Sequence, residues 1–151
     1  MPRLYEKSAG GIIYRKIENR IEVLLLEWKN SREIPIYVIP KWKFKESETA
    51  KETALREMSE ETGLNPKDLD IIKFMTKINY TFLAAHKEGK PLINKDLYLF
   101  LVRYRWNEDP TPRKEERFTG GFHWFPLEEL NGMDIKPGDI YGFIKKNLQY
   151  M

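Results

Sequence analysis

Apolar and polar positions along the chain follow a strand period in some stretches and a helix period in others. SAGGIIYRK at 8–16 and IEVLLLEWK at 21–29 are aliphatic and β-branched runs around a short polar break, which predicts an opening β-hairpin. YVIPK at 37–41 predicts a short strand stopped by Pro40, with a Lys/Glu-rich loop after it. A helix is predicted from Thr49 to Gly63. Thr49 and Glu52 fit a capping box, and Ala50, Ala54, Leu55 and Met58 form the apolar stripe. Gly63 suits the left-handed position past the helix end, and Asn65 with Pro66 blocks continuation. IIKFMTKINYTFLAA at 71–85 and DLYLFLVRYRW at 96–106 predict a second antiparallel pair joined by the polar HKEGKPLINK. FHWFPLEEL at 122–130 predicts a strand running into a helical turn, and DIYGFIKKNLQYM at 139–151 a terminal helix. No repeat or low-complexity tract interrupts these elements.

The length of 151 residues suits one domain, 1–151, with a hydrophobic core of its own. Charged residues reach 32%, yet 26 basic against 23 acidic side chains leave a net charge of only +3. No Lys/Arg cluster marks a nucleic-acid groove or a membrane anchor. With no cysteine, disulfides, thiolate nucleophiles and Cys-containing zinc sites are excluded. His86 and His123 are too few and too separated for a histidine metal site. SAGG lacks the spacing of a dinucleotide loop. MPRLYEKSAGG has no apolar signal core, and no apolar stretch approaches the ~20 residues that span a bilayer, so the expectation is a cytoplasmic protein with no membrane partner.

The informative charges are those placed against local preference. Glu57, Glu60 and Glu61 stand at i, i+3 and i+4 and so share one helix face. The Glu57/Glu61 repulsion costs ~0.2–0.5 kcal/mol, and anions in the last turn oppose the helix dipole by ~0.3–1 kcal/mol each. A bound divalent cation is the simplest compensation, and carboxylate oxygens suit Mg²⁺, Mn²⁺ or Ca²⁺. Solvated surface glutamates in a Lys/Glu-rich chain are the competing explanation.

From Trp42 to Leu64 the chain reads W-x5-E-x7-R-E-M-x-E-E-x-G-L. This closely resembles the Nudix hydrolase signature, G-x5-E-x7-R-E-U-x-E-E-x-G-U with U aliphatic. Glu48, Arg56, Glu57, Met58, Glu60, Glu61, Gly63 and Leu64 match. Two family glycines are replaced, the leading one by Trp42 and the one before Glu48 by Ser47. The resemblance covers most of the chain and implies an α/β (α+β) fold, the Nudix α/β/α sandwich with a mixed central sheet.

It further implies a hydrolase that cleaves a phosphoanhydride bond in a nucleoside diphosphate linked to another moiety. Glu57, Glu60 and Glu61 would hold Mg²⁺ or Mn²⁺ against a pyrophosphate, and either Glu57 or Glu61 would accept the proton of the attacking water. A carboxylate from RKEERFTGGFHWFP would complete the metal site, Glu116 in preference to Glu115. Arg56 would pair with Glu48 to fasten loop to helix, with Glu52 as a competing partner. INY at 78–80 and I-x-K at 93–95 look similar to the asymmetric dinucleoside tetraphosphate (diadenosine tetraphosphate) hydrolases, in which the corresponding Tyr80 and Lys95 would contact base and phosphates. Lys41 would bind polyphosphate likewise. The same three residues also fit as a strand aromatic and strand-end lysines, and Tyr37 fits core packing. A nucleotide polyphosphate is the expected partner, and among nucleic acids only an RNA 5′ end. The alternatives are a non-catalytic Nudix-like nucleotide-binding module, an RNA 5′-pyrophosphohydrolase and an ADP-ribose or nucleotide-sugar pyrophosphatase.

Overall fold

The structure is a computed structural model and describes residues 3–29, 32–84, 88–89, 91–106 and 121–151. The opening hairpin forms as expected. β1 (Arg3–Ile17) turns through Glu18 and Asn19 into β2 (Arg20–Lys29), with Tyr14 opposite Val23 and Ile17 opposite Arg20. β3 (Pro35–Val38) and β4 (Lys41–Lys43) flank Pro40, which lacks the N–H a continuous strand would need. β5 (Leu69–Leu83), β6 (Leu92–Tyr104), β7 (Gly121–Pro126) and the short β8 (Ile135–Lys136) complete one mixed sheet. Its order is β5-β6-β1-β2-β3-β8, with β4 also on β1 and β7 also on β2.

β1 organises the molecule. Along one edge it runs parallel to β6, from Arg3 opposite Leu92 to Tyr14 opposite Arg103. Along the other edge it divides: Ser8 to Gly10 pair with β4, and Tyr14 to Ile17 pair with β2. The sheet splays at that division, and glycine is required there. A Cβ on Gly10 would lie 2.2 Å from the Pro40 carbonyl oxygen, whose neighbour Gly11 donates its N–H to the same oxygen at 3.2 Å.

One helix covers each face. α1 (Ala50–Thr62) packs Ala54 and Met58 on Ala9, Ile13, Leu24, Phe100 and Val102. α2 (Ile140–Lys145) packs Ile140 and Ile144 on the opposite face against Ile12, Tyr14, Leu97 and Leu99. The result is the α/β/α sandwich with a mixed central sheet. Among the described residues no helix is long and apolar enough to cross a membrane.

Several boundaries differ from the pattern-based expectation, β1 most of all: it begins at Arg3, five residues ahead of Ser8, because Arg3 to Lys7 pair with Leu92 to Asp96. β6 starts at Leu92, not Asp96, because Leu92 to Lys95 pair on both edges, with Arg3 to Glu6 and with Tyr80 to Leu83. Trp42 lies in a strand, so the charged loop begins only after Lys43. The terminal helix is six residues of α2 followed by a 3-10 turn at Leu148–Tyr150. Asn147 ends it, donating from Nδ2 to the Phe143 carbonyl at 2.8 Å, a local bond of the kind that competes with helix continuation.

Candidate functional site

α1 has both ends fixed by its own sequence. Thr49 Oγ1 accepts from the Glu52 N–H at 3.2 Å, and Glu52 accepts from the Thr49 N–H at 3.1 Å. This capping box occupies Glu52, leaving Arg56 to Glu48. At the other end Gly63 adopts φ 78° and donates to the Ser59 carbonyl at 2.8 Å. No basic residue lies in the last turn of α1, where Glu60 and Glu61 stand at the negative end of the helix dipole.

The loop from Phe44 to Glu48 is bound to α1 through one carboxylate. Glu48 accepts from Arg56 Nε at 2.8 Å and Nη2 at 3.0 Å, from Thr53 Oγ1 at 3.0 Å and from the Lys45 N–H at 2.7 Å. Arg56 chiefly, with the backbone and hydroxyl donors, holds the Glu48 carboxyl down from its ordinary 4.5 to about 2. The Arg56 guanidinium is raised in turn, chiefly by Glu48. The fork has a further reach that the sequence did not indicate. Nη1 donates to Glu57 at 2.5 Å and to Glu60 at 3.2 Å, and Nη2 to the Lys43 carbonyl at 3.3 Å.

The two glycine replacements have different outcomes. Trp42 is an extended strand residue opposite Ala9, so that position makes no demand on glycine's conformational freedom. Ser47 adopts φ 67°, and the loop therefore keeps a left-handed turn in a residue that resists it.

Glu57 and Glu61 are each 3% exposed, and the Glu60 side chain is about a third exposed. Two buried carboxylates on one helix face are costly unless a positive charge serves them. Arg56 serves Glu57 and Glu60 here. A set of carboxylate oxygens suits a hard divalent cation by its chemistry. Among the described residues, however, no three acidic or histidine side chains form a group that could hold a metal ion as they stand. Glu115 and Glu116 lie outside the described residues, as does His86. His123 sits half-exposed on β7 with Nε2 3.6 Å from Glu27.

Two clefts share part of their lining, and the smaller lies against α1. The smaller, about 460 Å³, is lined by Trp42, Lys43, Phe44, Lys45, Arg56, Glu57 and Glu60. The larger, about 780 Å³, is mostly apolar and brings together Lys41, Tyr80 and Lys95, with Glu6, Phe82, Asn79 and Lys136 also on its wall. Trp42 and Lys43 line both. Tyr80 is half-buried; burial first, then the Glu6 charge, pushes its hydroxyl up to about 12, so it stays protonated and neutral. The Lys95 ammonium stands 5.3 Å from the Phe82 ring centre and 5.9 Å from that of Trp42, within cation–π range. Tyr37 packs edge-on against Phe125 in the core, at 5.2 Å between ring centres.

Glu6 was not singled out from sequence. Glu6 occupies an ordinary strand position in RLYEKS, and only its parallel pairing with β6 brings it to Lys95. Lys43 is one of several lysines in KWKFK, and nothing local distinguishes it from Lys45.

A helix capped at both ends, crowded with acid and packed on a splayed mixed sheet beside an aromatic cleft, defines an α/β/α sandwich of the Nudix class. The chain belongs to the NUDIX family: the NUDIX domain model matches residues 5–145. Its sequence is 26% identical over 133 residues to the Mycobacterium tuberculosis protein MutT4, covering 86% of this chain and 50% of that protein. The chain therefore spans about half the length of this curated relative. Its structure is similar to that of the Caenorhabditis elegans Ap4A hydrolase in a binary complex, with a TM-score of 0.71 at 21% identity over 96% of both chains. It is also similar to the NUDIX domain of Shewanella oneidensis NrtR complexed with ADP ribose, with a TM-score of 0.64 at 15% identity over 98% of this chain and 90% of that one. At these identities the structural likeness establishes the fold.

Proposed function

We propose that the protein is a divalent-metal-dependent hydrolase of nucleoside polyphosphates, with dinucleoside tetraphosphates the favoured substrates. One observation carries the reading: a cleft lined by Glu57, Glu60 and Arg56 adjoins a cleft lined by Tyr80, Lys95 and Lys41 across the shared residues Trp42 and Lys43. A ligand with a flat apolar base and a chain of phosphates matches that succession. Tyr80 supplies a face for stacking, and base–aromatic stacking contributes ~1–3 kcal/mol per base. Lys41, Lys43 and Lys95 supply positive charge along the path to α1.

In this reading Glu57, Glu60 and Glu61 hold Mg²⁺ or Mn²⁺, with Glu116 as the further ligand from outside the helix. Held there, the cation would neutralise diphosphate charge and lower the pKa of the attacking water. Glu57 or Glu61 accepts the water's proton, and Arg56 with Glu48 keeps the loop against the helix. The Ap4A hydrolase among the structural neighbours agrees with this choice, and the ADP ribose bound by the NrtR domain keeps nucleotide-linked diphosphates in view.

A second reading, nucleotide binding without turnover, draws on the Arg56 guanidinium between Glu57 and Glu60, where the metal would have to be held. The deciding experiment is product analysis on diadenosine tetraphosphate, ADP-ribose, nucleoside triphosphates and 5′-triphosphorylated RNA with Mg²⁺ or Mn²⁺. The hydrolase reading expects turnover that disappears in Glu61→Gln while the melting temperature holds. Unchanged turnover in that variant would remove the metal assignment, and binding without product from any substrate would select the second reading.

A further inference from the structure

Trp42 stands at the seam of the two clefts. It is the middle residue of β4, between Lys41 and Lys43, and side chains alternate between the two faces of a strand. Lys41 and Lys43 line the larger cleft with Tyr80 and Lys95. Trp42 lies opposite Ala9, and directly opposed residues share a face of the sheet. Ala9 packs beneath α1, so the indole belongs to the side that bears Glu57 and Glu60. Among the described residues β4 pairs with β1 alone, and from this outer strand the indole reaches both clefts. It lines the smaller one beside Phe44, Arg56 and Glu57, and its ring centre is 5.9 Å from the Lys95 ammonium in the larger one.

Its exposure is the feature to explain. Trp42 is 45% exposed, whereas the nearby Phe44 is partly buried against Tyr98, with 5.8 Å between ring centres. A cleft for a metal and phosphates alone calls for oxygen ligands and cations, and an exposed indole adds nothing to either. Single exposed apolar side chains are ordinary on a surface, but this one lies within the lining of two clefts. An indole among charged groups suits a ligand that is itself part flat ring and part anion. Tyr80 offers such a surface in the larger cleft, Trp42 offers another toward the smaller, and Lys41 and Lys43 flank Trp42 along β4.

We propose that Trp42 stacks the second nucleobase of a dinucleoside polyphosphate, the first base resting on Tyr80 and the phosphate chain passing Lys41 and Lys43 from one cleft to the other. Trp42 is then the residue by which the protein distinguishes a ligand with a base at each end from a mononucleotide with as many phosphates. The inference rests on the nucleotide-polyphosphate part of the proposed function and not on hydrolysis.

The test is equilibrium binding of diadenosine tetraphosphate and adenosine 5′-tetraphosphate to the full chain without divalent cation, measured by calorimetry. The dinucleotide is expected to bind about tenfold tighter, within the roughly 5- to 150-fold that one base–aromatic stack supplies. Trp42→Leu should abolish that preference and leave the affinity for adenosine tetraphosphate within about twofold. The mononucleotide's extra terminal charge is the same against both proteins, so it drops out of the comparison between them. Trp42→Phe keeps a ring and should keep the preference to within about threefold. Tyr80→Leu should weaken both ligands alike. In the unmodified protein, saturating dinucleotide should quench indole emission more than the mononucleotide does, a readout that needs no variant to fold. Equal quenching, a preference that Trp42→Leu leaves unchanged, or equal loss of both ligands in that variant would overturn the inference while leaving nucleotide binding intact. Failure of the unmodified protein to bind either ligand would remove the nucleotide reading itself, and the inference with it.

Discussion

Replacing Arg56 with lysine keeps the charge and removes the fork. Arg56 makes five hydrogen bonds, two to Glu48, one each to Glu57 and Glu60, and one to the Lys43 carbonyl. A lysine ammonium carries three donors on a single atom and cannot span Glu48 and the Glu57/Glu60 pair together. At least two bonds are lost. Hydrogen bonds to charged groups contribute about 1.5–3 kcal/mol each, and the Arg56 side chain is 19% exposed, so water takes over part of the loss. A net cost of about 2–4 kcal/mol follows. For a chain of this size that lowers the melting temperature by roughly 5–15 °C, which circular dichroism near neutral pH measures directly.

Acid supplies a second readout. The native carboxyl of Glu48 is depressed from 4.5 to about 2, so the stability it contributes is fully present above pH 4.5 and is lost as pH falls toward 2. The gap between wild type and Arg56→Lys should therefore be flat above pH 4.5 and close between 4.5 and 2. A variant melting within about 1 °C of wild type near neutral pH, or a gap that does not narrow in acid, would refute the view that Arg56 fastens the loop through Glu48.

Two backbone positions give further expectations. Ser47→Gly should stabilise the protein by about 0.5–1 kcal/mol, because the left-handed strain of ~1–2 kcal/mol exceeds the extra unfolded-state freedom of glycine. A melting temperature rising by a few degrees is the expected result, and a fall would show that the serine side chain supports the turn. Gly10→Ala should cost about 2–3 kcal/mol or more, since its methyl meets the Pro40 carbonyl oxygen at 2.2 Å and neither backbone can yield without parting β1 from β4. Gly11→Ala should be milder in urea denaturation, because its nearest contact is the Met58 Sδ, on a side chain that can rotate away. The reverse order would contradict the splay described at Gly10.

α1 was legible in the sequence to within a residue because everything that fixes it is local. Thr49, Glu52 and Gly63 act within one turn of themselves, and the carboxylate spacing is read along a single helix. The strands carrying the larger cleft were legible as strands but not in extent. Leu92 to Lys95 look like linker because Asn94 and Lys95 interrupt the apolar run. They are strand because β1 and β5 supply partners, and Ile93 is 1% exposed between them. Glu6 escaped notice for the same reason: its neighbour Lys95 is set by parallel pairing, which leaves no mark on either segment alone. Tyr80 and Lys95 were picked out by resemblance and Lys41 as a lysine beside the signature; pairing places them on one cleft wall.

The parallel pairing of β1 with β6 also bears on the order in which the molecule is assembled. It joins Arg3–Tyr14 to Leu92–Arg103 and needs the closure of a very long loop. The acidic apparatus between Trp42 and Glu61 closes over far shorter distances. Contacts remote in sequence carry the larger closure entropy and form late in folding. The carboxylate-bearing helix and its loop can thus be ordered in a chain whose larger cleft does not yet exist. Any such intermediate would carry the acidic helix and its Arg56-bound loop without the wall that brings Tyr80 and Lys95 together, so the larger cleft arrives with the last strand pairing of the fold.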